Sequence, residues 1–168
     1  MSALDKISQW PVDNVAGALI GPNGVEALGD TAREYDIKSV TKPVVALGVM
    51  LAVEEGAVEL DQPAGPEGST LRHLLSHASG VDFDSREAKR PVEDRRIYSS
   101  AGYEWAAEIV ADATGMDFPV YLQEGLFEPL GMNSTRLEGS AGHGLISSVD
   151  DLVKFATAVL NPQIIHPD

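Results

Sequence analysis

Residues 44–53 hold Val, Ala, Leu, Met and one Gly, with no polar side chain among them. A helix that is apolar all round is stable only when other elements of the fold surround it. Pro43 stands directly before this run, and proline is tolerated in a helix only within its first turn. The helix therefore starts close to Ser39. Glu54-Glu55-Gly56 ends it, with Gly56 as the expected left-handed cap.

Ser39 and Lys42 lie three apart at the mouth of this helix, on one face and at its positive end. That spacing sets a nucleophilic hydroxyl beside a lysine base held by a rigid core. The same residues also suit a plain N-cap serine followed by a solvated first-turn lysine. Spacing alone leaves both readings open.

Around the central helix the chain offers one hairpin and then helices. A short helix is expected ahead of Trp10-Pro11. Residues 15–20 and 25–28 read as two strands joined by the four-residue turn Gly21-Pro-Asn-Gly24. A Pro/Gly-rich loop over 60–68 leads to a short helix over 71–77, capped by Ser69 or Thr70 and closed near Gly80. Residues 82–96 are dense in charge and read as an exposed loop. Helices follow over 103–114, stopped by Gly115, and from an Asp117 cap to Gln123, with a turn over 127–132. Ser148-Val-Asp-Asp151 resembles a capping box for a last helix ending at Asn161-Pro162. Two strands do not make a stable sheet, so the inventory is lopsided.

With 26 acidic and 12 basic residues the formal net charge is −14, which repels nucleic-acid backbones and anionic lipid. The absence of cysteine excludes disulfides and thiolate metal sites. No apolar run is long enough to span a bilayer, and the first residues lack the pattern of a signal peptide, so the expected location is cytoplasmic.

Six stretches in order carry a resemblance. They are Asp36-Ile-Lys-Ser-Val-Thr-Lys-Pro43, Leu60-Asp-Gln-Pro63, Thr70-Leu-Arg-His-Leu-Leu-Ser-His-Ala-Ser-Gly80, Tyr98-Ser-Ser-Ala-Gly-Tyr103, Phe127-Glu-Pro-Leu-Gly-Met132 and Gly144-Leu-Ile-Ser-Ser-Val-Asp-Asp-Leu152. Together the chain resembles the serine β-lactamase and penicillin-binding-protein superfamily, in its class C β-lactamase, D,D-peptidase and family VIII esterase branch. The resemblance implies an α+β, β-lactamase-like fold: a mainly helical region plus the N-terminal hairpin of an incomplete antiparallel sheet. Residues 1–60 would belong to the α/β domain with the nucleophile helix, and 61–168 to the helical region.

It also implies a chemistry. Ser39 would attack a carbonyl carbon and form an acyl-enzyme, Lys42 would take the serine proton, and Tyr98 would pass it to the leaving group. The Ser39 backbone N–H would supply one oxyanion donor. Ser100 would contact substrate, standing where the family commonly has asparagine. A hydroxyl cannot offer an amide's paired donor and acceptor, which counts against β-lactam hydrolysis more than against ester or peptide acyl transfer. No metal or organic cofactor is implied, and the partner is a small-molecule or peptide acyl substrate.

The family's third motif, Lys-Thr-Gly or His-x-Gly on a later strand, has no counterpart, since His143-Gly144-Leu145 falls within the Gly-Leu-Ile-Ser element. The chain therefore reads as the N-terminal portion of a longer enzyme, completed by the missing C-terminal part. A non-catalytic penicillin-binding-like module is the alternative. His73 and His77, four apart, lack the carboxylate of a zinc pattern. No Gly-x-Ser-x-Gly elbow supports a Ser-His-Asp hydrolase with His143 as base, and Gly21-Pro-Asn-Gly24 is no phosphate loop.

Overall fold

In the computed structural model, which describes residues 3–162, 164 and 165, the apolar run forms α1 (Thr41–Glu54). A single 3-10 turn (Lys38–Val40) leads into it, and Gly56 at φ +73° follows its last turn as the left-handed cap. Val44, Val45, Val49 and Ala52 are wholly buried. The helices that cover them are α3 (Ser100–Thr114) and α4 (Phe118–Leu122), with the π-helical turn Gln123–Phe127 continuing α4. Leu71, Leu74, Leu122, Leu126 and Phe127 complete this core, each stabilising the fold by roughly 1.5–3 kcal/mol relative to exposure.

Several helix boundaries differ from the sequence reading. α2 (Leu71–Leu75) is capped by Thr70 but stops early, because His77 takes φ +61° and leaves the helical region. α3 starts three residues before the expected position 103, with Ser99 as N-cap: its hydroxyl accepts the Gly102 N–H (2.9 Å). Residues 127–132, expected as a turn, hold α5 (Glu128–Leu130). The wide π turn carries the helical path into it and Pro129 falls in its first turn. The first residues form a 3-10 helix (Leu4–Gln9). The last helix, α6 (Val149–Leu160), begins as expected with Ser148 Oγ accepting the Asp151 N–H (3.2 Å). The Asp151 carboxylate does not complete a box. It is buried and accepts from the Ser134 N–H (2.7 Å) and Thr135 Oγ1 (2.9 Å), and pairs with Lys154 (2.8 Å).

The hairpin is present as β1 (Ala16–Gly21) and β2 (Gly24–Gly29). Gly21 and Gly24 pair as its last rung, so the turn has two residues, Pro22 and Asn23, rather than four. A second antiparallel sheet was not expected. It comprises β3 (Glu34–Asp36), β4 (Arg136–Leu137) and β5 (Leu145–Ser148) in the order β3-β5-β4. Strands of two to four residues are too short to show an alternating pattern, so only their pairing reveals them. In that pairing Tyr35 faces Ser147 and Asp36 faces Ile146. The sheet ties the residues just before Ser39 to the segment following Gly142. The whole is a mixed α/β fold with small antiparallel sheets. Among the described residues no helix is long and apolar enough to cross a membrane.

Candidate active site

Ser39 lies in the 3-10 turn ahead of α1, exposed, and its hydroxyl caps neither that turn nor the helix. The N-cap of α1 is Val40, which removes the plain capping role. Lys38, immediately before Ser39, holds φ +49°, a left-handed value that non-glycine residues rarely adopt. Asp36 supports it, accepting the Lys38 N–H at Oδ1 (3.1 Å) and pairing with its ammonium. Hydrogen bonding from that lysine holds the Asp36 carboxyl below its ordinary pKa.

Lys42 is buried, 4% exposed. Its Nζ donates to the Gly142 carbonyl (2.8 Å), Ser100 Oγ (3.1 Å) and Ser39 Oγ (3.4 Å). The amine also sits 4.4 Å from the centre of the Tyr98 ring and 5.9 Å from that of Tyr103. The four residues singled out from the sequence, Ser39, Lys42, Tyr98 and Ser100, therefore meet around one amine.

Tyr98 lies in the loop entering α3 and is half exposed. Hydrogen bonding with the Ser39 hydroxyl draws its phenol below the ordinary tyrosine value, Lys42 acts in the same direction, and partial burial opposes both. Ser100 is the first residue of α3 and is buried, its N–H on the Phe83 carbonyl (2.8 Å) and its hydroxyl turned to Lys42. Ser39 and Tyr98 leave the site open to solvent on one side.

Sequence reasoning missed Gly142. A Cβ at this position would lie 2.6 Å from Ser100 Cβ and 2.9 Å from its Cα, so only glycine lets the loop reach Lys42. The loop is anchored by the Leu145 N–H donating to Thr41 Oγ1 (3.0 Å) and the Ile37 N–H donating to the Leu145 carbonyl (3.1 Å). The Gly-rich run 139–144 was the available signal. The two histidines have separate partners. His73 Nδ1 accepts the Thr70 N–H (3.1 Å) with Nε2 toward Glu93 (3.2 Å), while His77 Nδ1 accepts the Ser99 N–H (3.1 Å).

This architecture is that of the serine β-lactamase and penicillin-binding-protein superfamily. The profile of the β-lactamase family matches residues 31–167, and the chain belongs to that family, a family of serine hydrolases. A β-lactamase crystal structure from Mycobacterium bovis superposes with a TM-score of 0.96 at 48% identity, covering 99% of this chain and 62% of that one. Penicillin-binding protein 4* of Bacillus subtilis is 29% identical over 61% of this chain and 30% of its own length. Esterase EstB of Burkholderia gladioli is 39% identical over 36% of this chain and 19% of its own. The chain thus spans less than two thirds of each of these proteins.

Proposed function

We propose that this chain is the N-terminal portion of a serine hydrolase or acyl transferase that works through a covalent acyl-serine. The observation that carries the reading is the reach of Lys42 Nζ to Ser39 Oγ (3.4 Å) beside the Tyr98 ring. Ser39 Oγ attacks the carbonyl carbon of an ester, amide or lactam while its proton passes to the lone pair of Lys42 Nζ, the lysine acting in its free-amine form. The oxyanion leans on the Ser39 N–H. As the tetrahedral intermediate collapses, the leaving group takes a proton delivered through Tyr98. Water, or a second nucleophile, then releases the acyl group from Ser39. Ser100 contacts the substrate and steadies Lys42, and its short hydroxyl favours ester or peptide over β-lactam substrates.

The remaining part of the protein supplies the second oxyanion donor and the wall that sets specificity. Loss of one such donor costs ~10²–10³ in turnover, so the 168-residue piece alone is expected to be nearly inactive. Treating the full-length protein with a fluorophosphonate or a fluorescent penicillin, followed by peptide mapping, tests the reading. Label on Ser39 that is absent from Ser39→Ala supports it. A full-length protein unlabelled at Ser39 is a non-catalytic module instead. A chromogenic cephalosporin set against a short p-nitrophenyl ester then separates lactamase from esterase.

A further inference from the structure

The residues on either side of Tyr98 are both fastened to His77. The Ile97 N–H donates to the His77 carbonyl (2.9 Å), and the Ser99 N–H donates to His77 Nδ1 (3.1 Å). The His77 ring also lies against the ring held between these two bonds, with centroids 4.7 Å apart, and against that of Tyr103 at 5.4 Å. Tyr103 is itself fixed, its hydroxyl donating to the Leu75 carbonyl (3.0 Å). His77 meets these partners from a left-handed backbone, φ +61°. Such a conformation is strained for a non-glycine residue and persists where its surroundings over-determine it.

We infer that His77 is a positioning residue: its neutral imidazole clasps the 97–99 segment and sets the phenol of Tyr98 against Ser39 and Lys42. The inference rests on the acyl-serine reading of the site. It requires a free lone pair on Nδ1, since that atom accepts a backbone N–H, and hence the ring proton on Nε2. The groups that face the ring are Lys42 from α1, Arg96 and Tyr98 from the loop, and Tyr103 from α3. Burial first, then Lys42 and Arg96, press the imidazole below the ordinary histidine pKa and keep it neutral. Protonation would remove the acceptor for Ser99 and put a positive charge beside the Lys42 amine and Arg96. The clasp therefore opens in acid.

The test follows the rate at which a fluorophosphonate labels Ser39 in the full-length protein between about pH 5 and pH 9. Wild type is compared with His77→Ala and His77→Asn. The alanine variant is expected to label about 10²-fold more slowly, the size of effect that misplaced catalytic groups produce. Asparagine tolerates the left-handed backbone, and its amide oxygen reaches the place of Nδ1. His77→Asn should recover about tenfold of the loss and label without the acid limb that the imidazole gives wild type. A merely structural histidine would leave that pH profile in place. Equal labelling of wild type and His77→Ala, or an acid limb unchanged in His77→Asn, overturns the inference. Nitrogen NMR of the wild-type imidazole gives a check independent of any variant: an unprotonated, hydrogen-bonded Nδ1 at neutral pH supports the clasp, and a protonated one overturns it. Failure of wild type itself to take label at Ser39 defeats the enzyme reading, while the NMR result still decides the state of His77.

Discussion

The Nζ of Lys42 stands 2.8 Å from the carbonyl oxygen of Gly142, a residue 100 positions further along the chain. That contact fixes the far end of the lysine, while Ser39 is fixed by the turn that starts the same helix. The amine that meets the serine is therefore positioned by two separate parts of the fold.

Gly142→Ala is expected to break this arrangement. The new Cβ would fall 2.6 Å from Ser100 Cβ, and a nearby contact involves backbone, so the loop must shift. Overpacking of this kind costs roughly 1–3 kcal/mol. Urea unfolding should register that loss, and labelling of Ser39 in the full-length protein should slow at least about tenfold. Gly139→Ala is the control: its Cβ meets nothing closer than Gly144 Cα at 3.8 Å, so its stability should stay within about 0.5 kcal/mol of wild type.

Alkaline titration should resolve Tyr98 from other tyrosines. Its phenol is drawn below the ordinary value by Ser39 and then Lys42, whereas burial pushes Tyr103 upward, and burial with the Glu55 contact does the same to Tyr121. Phenolate absorbance is expected to show Tyr98 ionising before those two, with its step absent in Tyr98→Phe. Ser39→Ala should move the Tyr98 step upward, because the serine is the largest cause. With the folded value below the unfolded one, the fold gains stability as pH rises from the folded value towards about 10 and gains nothing at neutral pH. A Tyr98 step unmoved by Ser39→Ala would contradict the hydrogen bond.

Asp151 joins α6 to the segment leading into β4, accepting from the Ser134 N–H and Thr135 Oγ1 while pairing with Lys154. Asp151→Ala leaves the part-buried Ser134 N–H without its acceptor and Thr135 Oγ1 with Ser147 Oγ as its remaining partner (2.8 Å), which should cost about 1–3 kcal/mol. Denaturant midpoints measure this directly. A loss below about 0.5 kcal/mol, the level of an ordinary surface change, would show that the carboxylate is not the clasp.

Much of the helical frame was legible before any coordinates. Pro43, the apolar run over 44–53 and Gly56 bounded α1, and Ser148 and Gly115 marked the ends of α6 and α3, because capping and propensity act within a few residues. The link between Ser39 and Tyr98 came from resemblance to a family, since no spacing rule connects residues so far apart. The sheet β3-β5-β4 stayed hidden because its strands are short and their partners distant. Ser100 was singled out, but not its place as the first residue of α3, hydroxyl on Lys42.

Sequence alone determined a buried helix with a serine at its mouth and a lysine one turn in, both set by backbone geometry over neighbouring residues. Only the tertiary structure decided what surrounds that lysine. Ser100 and the Gly142 carbonyl reach it across separations of 58 and 100 residues, and His77 grips both neighbours of Tyr98. Contacts over such distances exist only once the core has packed, since chain closure is repaid by burial of the whole set and not by any local preference.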